Sequence, residues 1–500
     1  MFSQFSKLSV ITLLILFSRV SLSAQNYKWL KSFGVKAYSE TSWLSVPEPD
    51  GGLTFILQWS PSKLGLPQDT QFIDTFKFIY KFKSGHGYPS CLVRVDSNGN
   101  ILNAKYIGTA RFAAFCKDDL GNYYVGSDIV GASNIIGNDT LDSQRGSLVC
   151  SKFDNKFNHV WSSQTGGDTA GRGYAKFKFS DGKLLFIANL YHNSIIGKDT
   201  YNSNTYWVQI FGELDTAIGA VLWSQLYFRR NISTGGFWLS DILSMPSGCL
   251  YLVGSTWEED YVKNGDSFNR FSGFVIKTDS KGNYQKRLML KGGNNFKTND
   301  PNYPNSIYQI DNDDSVLIIA GTMGKDIFWG GKKISKSLDS GILGFEGFIA
   351  SLSEDLKEGF FYKPDFVSIG KWSGNNNTLY NQSSFKFAIN HGSIYALGST
   401  AYNLKADSLL VLVDTSQLFS YGSFLLKIDF KGSVIWAGNF GIDSQAYNGW
   451  GGWGGLGGMG GYGGGGWHQN FISATTNAVF ITAPYKYKIH FPPYSTKPKG

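Results

Sequence analysis

Charge is scarce in this 500-residue sequence: Asp, Glu, Lys and Arg together make up 17% of it. The net charge of +8 is spread along the chain. No Lys/Arg-rich run interleaves with the plentiful Phe and Tyr, so nucleic acid is not an expected partner. Cysteine is rarer still. Cys91, Cys116, Cys150 and Cys249 show no CxxC or Cys/His spacing of the kind a zinc site needs. Three pairings of the four are compatible with the sequence, and each cysteine sits in or beside an apolar, strand-like run that suits a buried thiol. The six histidines, His86, His159, His192, His391, His468 and His490, are scattered and form no HExxH. A GxSxG elbow and a P-loop are also missing. These absences give an expectation of no catalytic constellation, no bound metal and no cofactor.

Long apolar runs are missing too, with one exception at the start. Lys7 ends a short basic region, Leu8 to Phe17 is apolar, and Ser21-Leu22-Ser23-Ala24 supplies small residues. That order reads as a secretory signal over residues 1–24. About ten apolar residues are half of what a bilayer span requires. The expectation is therefore an exported chain, secreted or at the cell surface, with no transmembrane segment.

Aromatic residues and glycine are abundant. Phe, Trp and Tyr form 16% of the chain, and there are 60 glycines. Strands favour aromatic and β-branched residues, and tight turns need Gly, Asn and Asp. The clearest unit is FLLKIDFKGSVIWAGNFG, Phe424 to Gly441. An alternating run ends at Asp429, a turn is centred on Gly432, and a second run carries Trp436. Weaker copies recur about every sixty residues. Asp154 and Trp161 keep the same spacing, Asp215 and Trp223 are one residue further apart, and Trp29 begins an incomplete first copy. A second type of hairpin turns near Asp50, Asp119, Asp181, Ser247, Asp313, His391 and Asn477.

Two hairpins per unit give four short strands, and repetition at this period gives a propeller. The expected fold is all-β: a seven-bladed β-propeller over residues 25–491, with a Pro/Lys tail at 492–500. Misassigning one degenerate copy would make the count six or eight. The N-terminal copy lacks a strand, and Tyr485 to Phe491 alternates, so the two termini are expected to close the ring. Asn134 to Thr140 and Ser194 to Thr200 match each other, as does Ile327 to Ile334 more loosely. They are expected to link one unit to the next.

The pattern carried by Gly422 to Gly441, Gly146 to Gly167 and Asp119 to Gly126 resembles the repeat of secreted bacterial β-propellers of the SBBP kind, common in Bacteroidota surface proteins. That resemblance implies an extracellular or surface location and no shared catalytic site. Asp429, Gly432 and Trp436 also resemble the tryptophan-docking motif of quinoprotein propellers, in which a Trp of each blade packs on the next. The sequence has no vicinal cysteine pair, so the resemblance implies the packing device without the quinone.

One segment departs from the repeat. Residues 449–467, GWGGWGGLGGMGGYGGGGW, place Trp450, Trp453, Leu456, Met459 and Tyr462 at every third position and close on Trp467. An extended helix of three residues per turn would align them in a stripe able to meet a sugar, a lipid or a protein; a mobile glycine-rich loop is the plainer alternative. The functional expectation is a non-catalytic binding or scaffold module that recognises protein or polysaccharide through its loops. The alternatives are a lyase or hydrolase of extracellular polysaccharide working in the central mouth, and a structural subunit of a surface assembly. The sequence assigns no oligomeric state.

Overall fold

The computed structural model describes residues between 40 and 496 in segments. Residues 1–39 and 497–500 lie outside the description, as do several internal stretches, the longest being 291–304, 368–380 and 443–470. Strands are the only regular element among the described residues. No helix among them is long and apolar enough to cross a membrane.

Six antiparallel four-strand units follow one another. The first contains Glu40–Pro47, Leu53–Trp59, Ser90–Val95 and Ile101–Gly108, hydrogen-bonded in that order. The second contains Arg111–Lys117, Tyr123–Ile136, Asp139–Phe153 and His159–Thr165. The leading strands of the next four are Ala175–Ser180, Phe237–Ser244, Ser306–Asp313 and Ser384–Asn390. A two-stranded sheet, Phe471–Thr475 with Ala478–Thr482, comes last.

The turn chemistry explains the hairpins. Asp154 accepts the backbone N–H of Lys156 and of Asn158 through one oxygen, and Asn158 Nδ2 through the other at 2.9 Å. Asp96 and Asp279 do the same with Asn100 and Asn283. Asp429 holds the N–H groups of Lys431 and Ser433. A carboxylate that satisfies the turn's own donors fixes it locally, before any tertiary contact forms.

Three expectations need correction. First, a hairpin of the Asp154 type is expected to share a unit with the hairpin that follows it, and the sheets are phased one hairpin away from that. The hairpin at Asp154 shares a sheet with the one before it, at Asp118, rather than the one after it. Second, the Ile-Ile-Gly segments are not links between units. They are small hairpins inside a unit, between its second and third strands: Ser194–Ile196 with Asp199–Tyr201, and Ile327–Trp329 with Lys332–Ile334. In the second unit the same segment continues the main hairpin to its tip at Gly137. These tips cover seams. Ile136 joins the apolar cluster with Ile56 and Leu92 of the first unit, and Ile196 joins Ala114 and Cys150 of the second. Trp329 joins Tyr251 and Val275 of the fourth. Burying such a side chain contributes about 1.5–3 kcal/mol relative to leaving it in water.

Third, the C-terminal strand does not complete the last sheet. Ile489–Phe491 pairs with Val434–Ile442 on the outer edge of the sixth unit. Among the described residues no sheet contains strands from both ends of the chain, and Trp29 lies outside them. The two ends do meet side by side. Glu40–Pro47 packs beside Phe471–Thr475 as well as beside Arg111–Lys117. Ser45 Oγ and Ser473 Oγ share a hydrogen bond of 3.1 Å.

The cysteines are four free thiols. Cys91, Cys116 and Cys150 are buried, and burial raises the pKa of each thiol, that of Cys116 to about 12.

Candidate functional site

The leading strands of consecutive units lie next to one another, and four of them bring charged side chains together. Ala175–Ser180 reads AKFKFS. Its alternation buries Phe177 and turns Lys176 and Lys178 the other way. Ser384–Asn390 reads SFKFAIN and places Lys386 between the buried Phe385 and Phe387. Both strands pair with their neighbours in unbroken register.

The two strands between them are bulged. Ser240 is an extra residue opposite the Leu239/Asp241 step, and Tyr308 is extra opposite the Ile307/Gln309 step. A bulge re-aims the side chains that follow it. Here it presents Asp241 and Gln309 to the neighbouring leading strands.

Asp241 is 2% exposed. Its Oδ2 accepts Lys176 Nζ at 2.9 Å and the Ile310 N–H at 3.1 Å, and its Oδ1 accepts the Ile242 N–H at 2.8 Å. Lys178 Nζ donates to Ile310 O at 2.5 Å and to Asp311 Oδ1 at 3.3 Å. Gln309 clasps the backbone of Phe387, donating to its carbonyl at 2.7 Å and accepting its N–H at 3.1 Å. Lys178 thus reaches from the third unit to the fifth, which requires the leading edges of these sheets to converge.

Electrostatics follow from the geometry. Burial would raise the Asp241 pKa, but Lys176 and Lys178 outweigh it and hold the carboxyl below its usual range. Burial lowers the Lys176 pKa despite Asp241. Burial also opposes charge on Lys178, but Asp311 and Asp241 prevail and raise its pKa. Lys386 differs. Its ammonium lies 5.0 Å from the centre of the Tyr308 ring, and no hydrogen bond or ion pair joins it to a described residue. Burial, with Lys176 as a like charge, lowers its pKa to about 8, against a weaker pull from Asp241.

A second charged group fastens the first unit to the second. Glu48, 3% exposed, accepts Tyr123 Oη at 2.7 Å, Thr54 Oγ1 at 2.5 Å and Lys117 Nζ at 2.5 Å. Every acceptor atom of this carboxylate is occupied by the fold.

Those residues singled out from sequence that are described fall elsewhere. Trp450, Trp453, Leu456, Met459, Tyr462 and Trp467 lie outside the described residues. Asp154 and Asp429 are in turns, as is Asp215, which accepts the N–H groups of Ala217 and Ile218 in a longer turn. Gly432 has φ +86° at the tip of its hairpin. Trp161 donates to Thr216 O of the next unit at 3.4 Å, and its ring fills the space over Gly219. Trp223 donates to Glu213 at 2.9 Å and meets Phe211 edge to face. Trp436 packs with Tyr395 and with Ile472 and Val479 of the last hairpin. Among the described ones, none is seen to contact the lysine cluster. The sequence signal for the cluster was lysine at alternating positions in AKFKFS and SFKFAIN, an unusual residue for strands so rich in Phe.

No family model and no curated protein matches the chain. Solved structures give low-similarity matches. A variant of the Synechocystis apocarotenoid oxygenase is 9% identical over 65% of this chain, with a TM-score of 0.31, and the match spans 60% of the oxygenase. A DUF4221 family member from Bacteroides vulgatus is 13% identical over 66% of this chain and 86% of its own, with a TM-score of 0.31. A luciferin-regenerating enzyme is 11% identical over 70% of this chain and 100% of its own, with a TM-score of 0.24. Likenesses this low assign neither a family nor an activity to this chain.

Proposed function

We propose that the chain is an exported β-propeller of seven units, the last one short, acting as a non-catalytic binding or scaffold module for protein or polysaccharide. The seven-unit reading is supported by the order of the leading strands. Each packs beside the next, and Glu40–Pro47 packs beside Phe471–Thr475. Export and a cell-surface or extracellular setting rest on the apolar N-terminal segment and on the resemblance to SBBP repeats.

The single observation that carries the non-catalytic reading is the state of the carboxylates where the leading strands converge. Glycoside hydrolases of the two-carboxylate kind need a carboxyl group free to exchange a proton with substrate. Asp241 is held by one lysine and two backbone N–H groups, and Asp311 accepts a second lysine. A carboxylate engaged in this way is a fastener between sheets. The Gly/Trp segment at 449–467 is proposed as a further contact surface on the strength of its aromatic spacing.

The test is to incubate the purified chain with insoluble neutral and carboxylated polysaccharides and measure both retention and soluble product. Retention without new reducing ends or unsaturated ends is expected. Release of product would overturn the non-catalytic reading, and retention by none of the polymers would overturn recognition of polysaccharide.

A further inference from the structure

We propose that Lys386, with Lys176 beside it, forms a binding site for one carboxylate group of a ligand, with Lys386 as the principal contact and an acidic sugar as the ligand class. This deepens the binding-module reading and rests on it.

The argument begins with charge. Three ammonium groups meet two carboxylates, and one positive charge is left over. Lys176 is committed to Asp241, and Lys178 to Ile310 O and Asp311. Lys386 carries the remainder. Its three N–H donors engage no described residue, and its ammonium lies over the face of Tyr308. An ammonium among like charges is unfavourable unless an anion completes the set. A surplus of one charge matches a carboxylate better than a doubly charged phosphate.

Access and rigidity also favour a site. The side chains of Lys176, Lys178 and Asp311 are 28%, 19% and 39% exposed, so the cluster opens to solvent. The frame around it is fixed. Phe385 and Phe387 anchor the lysine strand in the core, Gln309 clasps Phe387, and Phe385 N–H donates to Tyr308 Oη at 2.6 Å. Tyr308 is buried in the core, and its ring face holds the Lys386 ammonium in place; the acidic-sugar class follows from the polysaccharide reading. A pre-built frame spends little binding energy on ordering.

The groups facing Lys386 can be named element by element. They are Lys176 on the third leading strand, Asp241 on the fourth, and Tyr308 on the fifth. The adjoining Phe471–Thr475 hairpin strand contains no titratable residue. Among these, Lys386 is the group whose pKa falls to about 8. Carboxylate binding needs its charged form. Affinity should therefore be constant below that pH and fall about tenfold per unit above it.

The experiment titrates the full chain with glucuronate by calorimetry, with glucose, sulfate and phosphate as comparison arms. Lys386→Met and Lys386→Arg are run alongside, with near-ultraviolet circular dichroism to confirm an unchanged fold. The expected result is binding of glucuronate, no detectable binding of glucose, weaker binding of sulfate and phosphate, at least tenfold loss in Lys386→Met, and partial retention in Lys386→Arg. Glucuronate binding unchanged in Lys386→Met would overturn the assignment, as would equal binding of glucose or of the inorganic anions. Polysaccharide retention that persists when glucuronate does not bind would overturn this site while leaving the binding-module reading intact; polymer cleavage would count against that reading instead.

Discussion

Joining the two ends of the chain covalently gives the sharpest test of how its sheets are arranged. Ser45 Oγ and Ser473 Oγ are 3.1 Å apart and 428 residues apart in sequence. A pair of cysteines at these positions, Ser45→Cys with Ser473→Cys, should oxidise to a disulfide. In the chain-entropy account, a loop of that length removes about 20 cal/mol/K from the unfolded state, or about 6 kcal/mol at 25 °C. Engineered bridges deliver less than this ceiling, and about 3 kcal/mol is a reasonable expectation. Unfolding entropies near 2.1 cal/mol/K per residue give about 1 kcal/mol/K for a chain of this size, so the gain corresponds to roughly 3 °C in Tm. The native thiols interfere little. Cys91, Cys116 and Cys150 are buried with raised pKa values, and the thiolate is the reactive form. Cys249, which is half-buried, is changed to Ser as a precaution. The assay is mobility on non-reducing gels after mild oxidation, followed by thermal unfolding with and without reductant. A bridge that forms and raises Tm reversibly is the expected outcome. Introduced thiols that stay free after oxidation, or a bridge that lowers Tm, would refute the meeting of the first and last leading strands.

Other consequences can be measured directly. Lys386→Met should raise Tm at pH 7, because it removes an ammonium that the folded state disfavours. The sign follows from the lowered pKa: the penalty is fully present below about pH 8 and is relieved as pH rises toward the unfolded value near 10.4, so the advantage should vanish by pH 11. A constant advantage across that range would show that packing rather than charge is responsible. Asp241→Asn leaves the partly buried Lys176 without its partner and should cost about 1.5–3 kcal/mol in urea unfolding; a cost under 1 kcal/mol would show the pair to be solvated. The stability that Asp241 contributes is present above pH 4 and is lost as pH falls through its lowered pKa. Gly108→Ala should destabilise by more than about 1 kcal/mol, because φ there is +139° and a Cβ would lie 2.0 Å from Ile135 O, where the second unit pairs with the first. An alanine variant of wild-type stability would mean that this junction is not formed.

The lysine cluster also shows why a site can hide inside a repeat. Each leading strand belongs to the same pattern, and three of the relevant residues, Asp241, Gln309 and Asp311, sit in strands whose alternation is broken. Ser240 and Tyr308 each insert one residue, and that insertion decides which side chains turn toward the neighbouring leading edges. Nothing in FWLSDILS or SIYQIDND announces a bulge, because the extra residue is chosen by what the strand must pack against. AKFKFS and SFKFAIN are regular, and their lysines could have been read as a warning. A strand so rich in Phe that also carries lysine must find a polar surface for it inside the fold.

The sequence by itself determined the strands and their turns. Asp154, Asp279 and Asp429 close hairpins with donors two to four residues away, so the information is local and survives in any context. It also fixed the all-β class and the spacing of about sixty residues, through glycine, aspartate and aromatic periodicity. Tertiary structure alone decided which hairpins share a sheet, because both groupings satisfy the same turn chemistry and the same alternation. It decided that the Ile-Ile-Gly tips fold back over seams, since Ile136 and Ile196 sit in apolar clusters that combine their own unit with the preceding one. It sent Ile489–Phe491 to the edge of the sixth unit, where Val434–Ile442 offers unpaired backbone groups. And it brought Lys176, Lys178 and Lys386 around Asp241 from strands up to 210 residues apart, a meeting set by the convergence of sheet edges that no local pattern encodes.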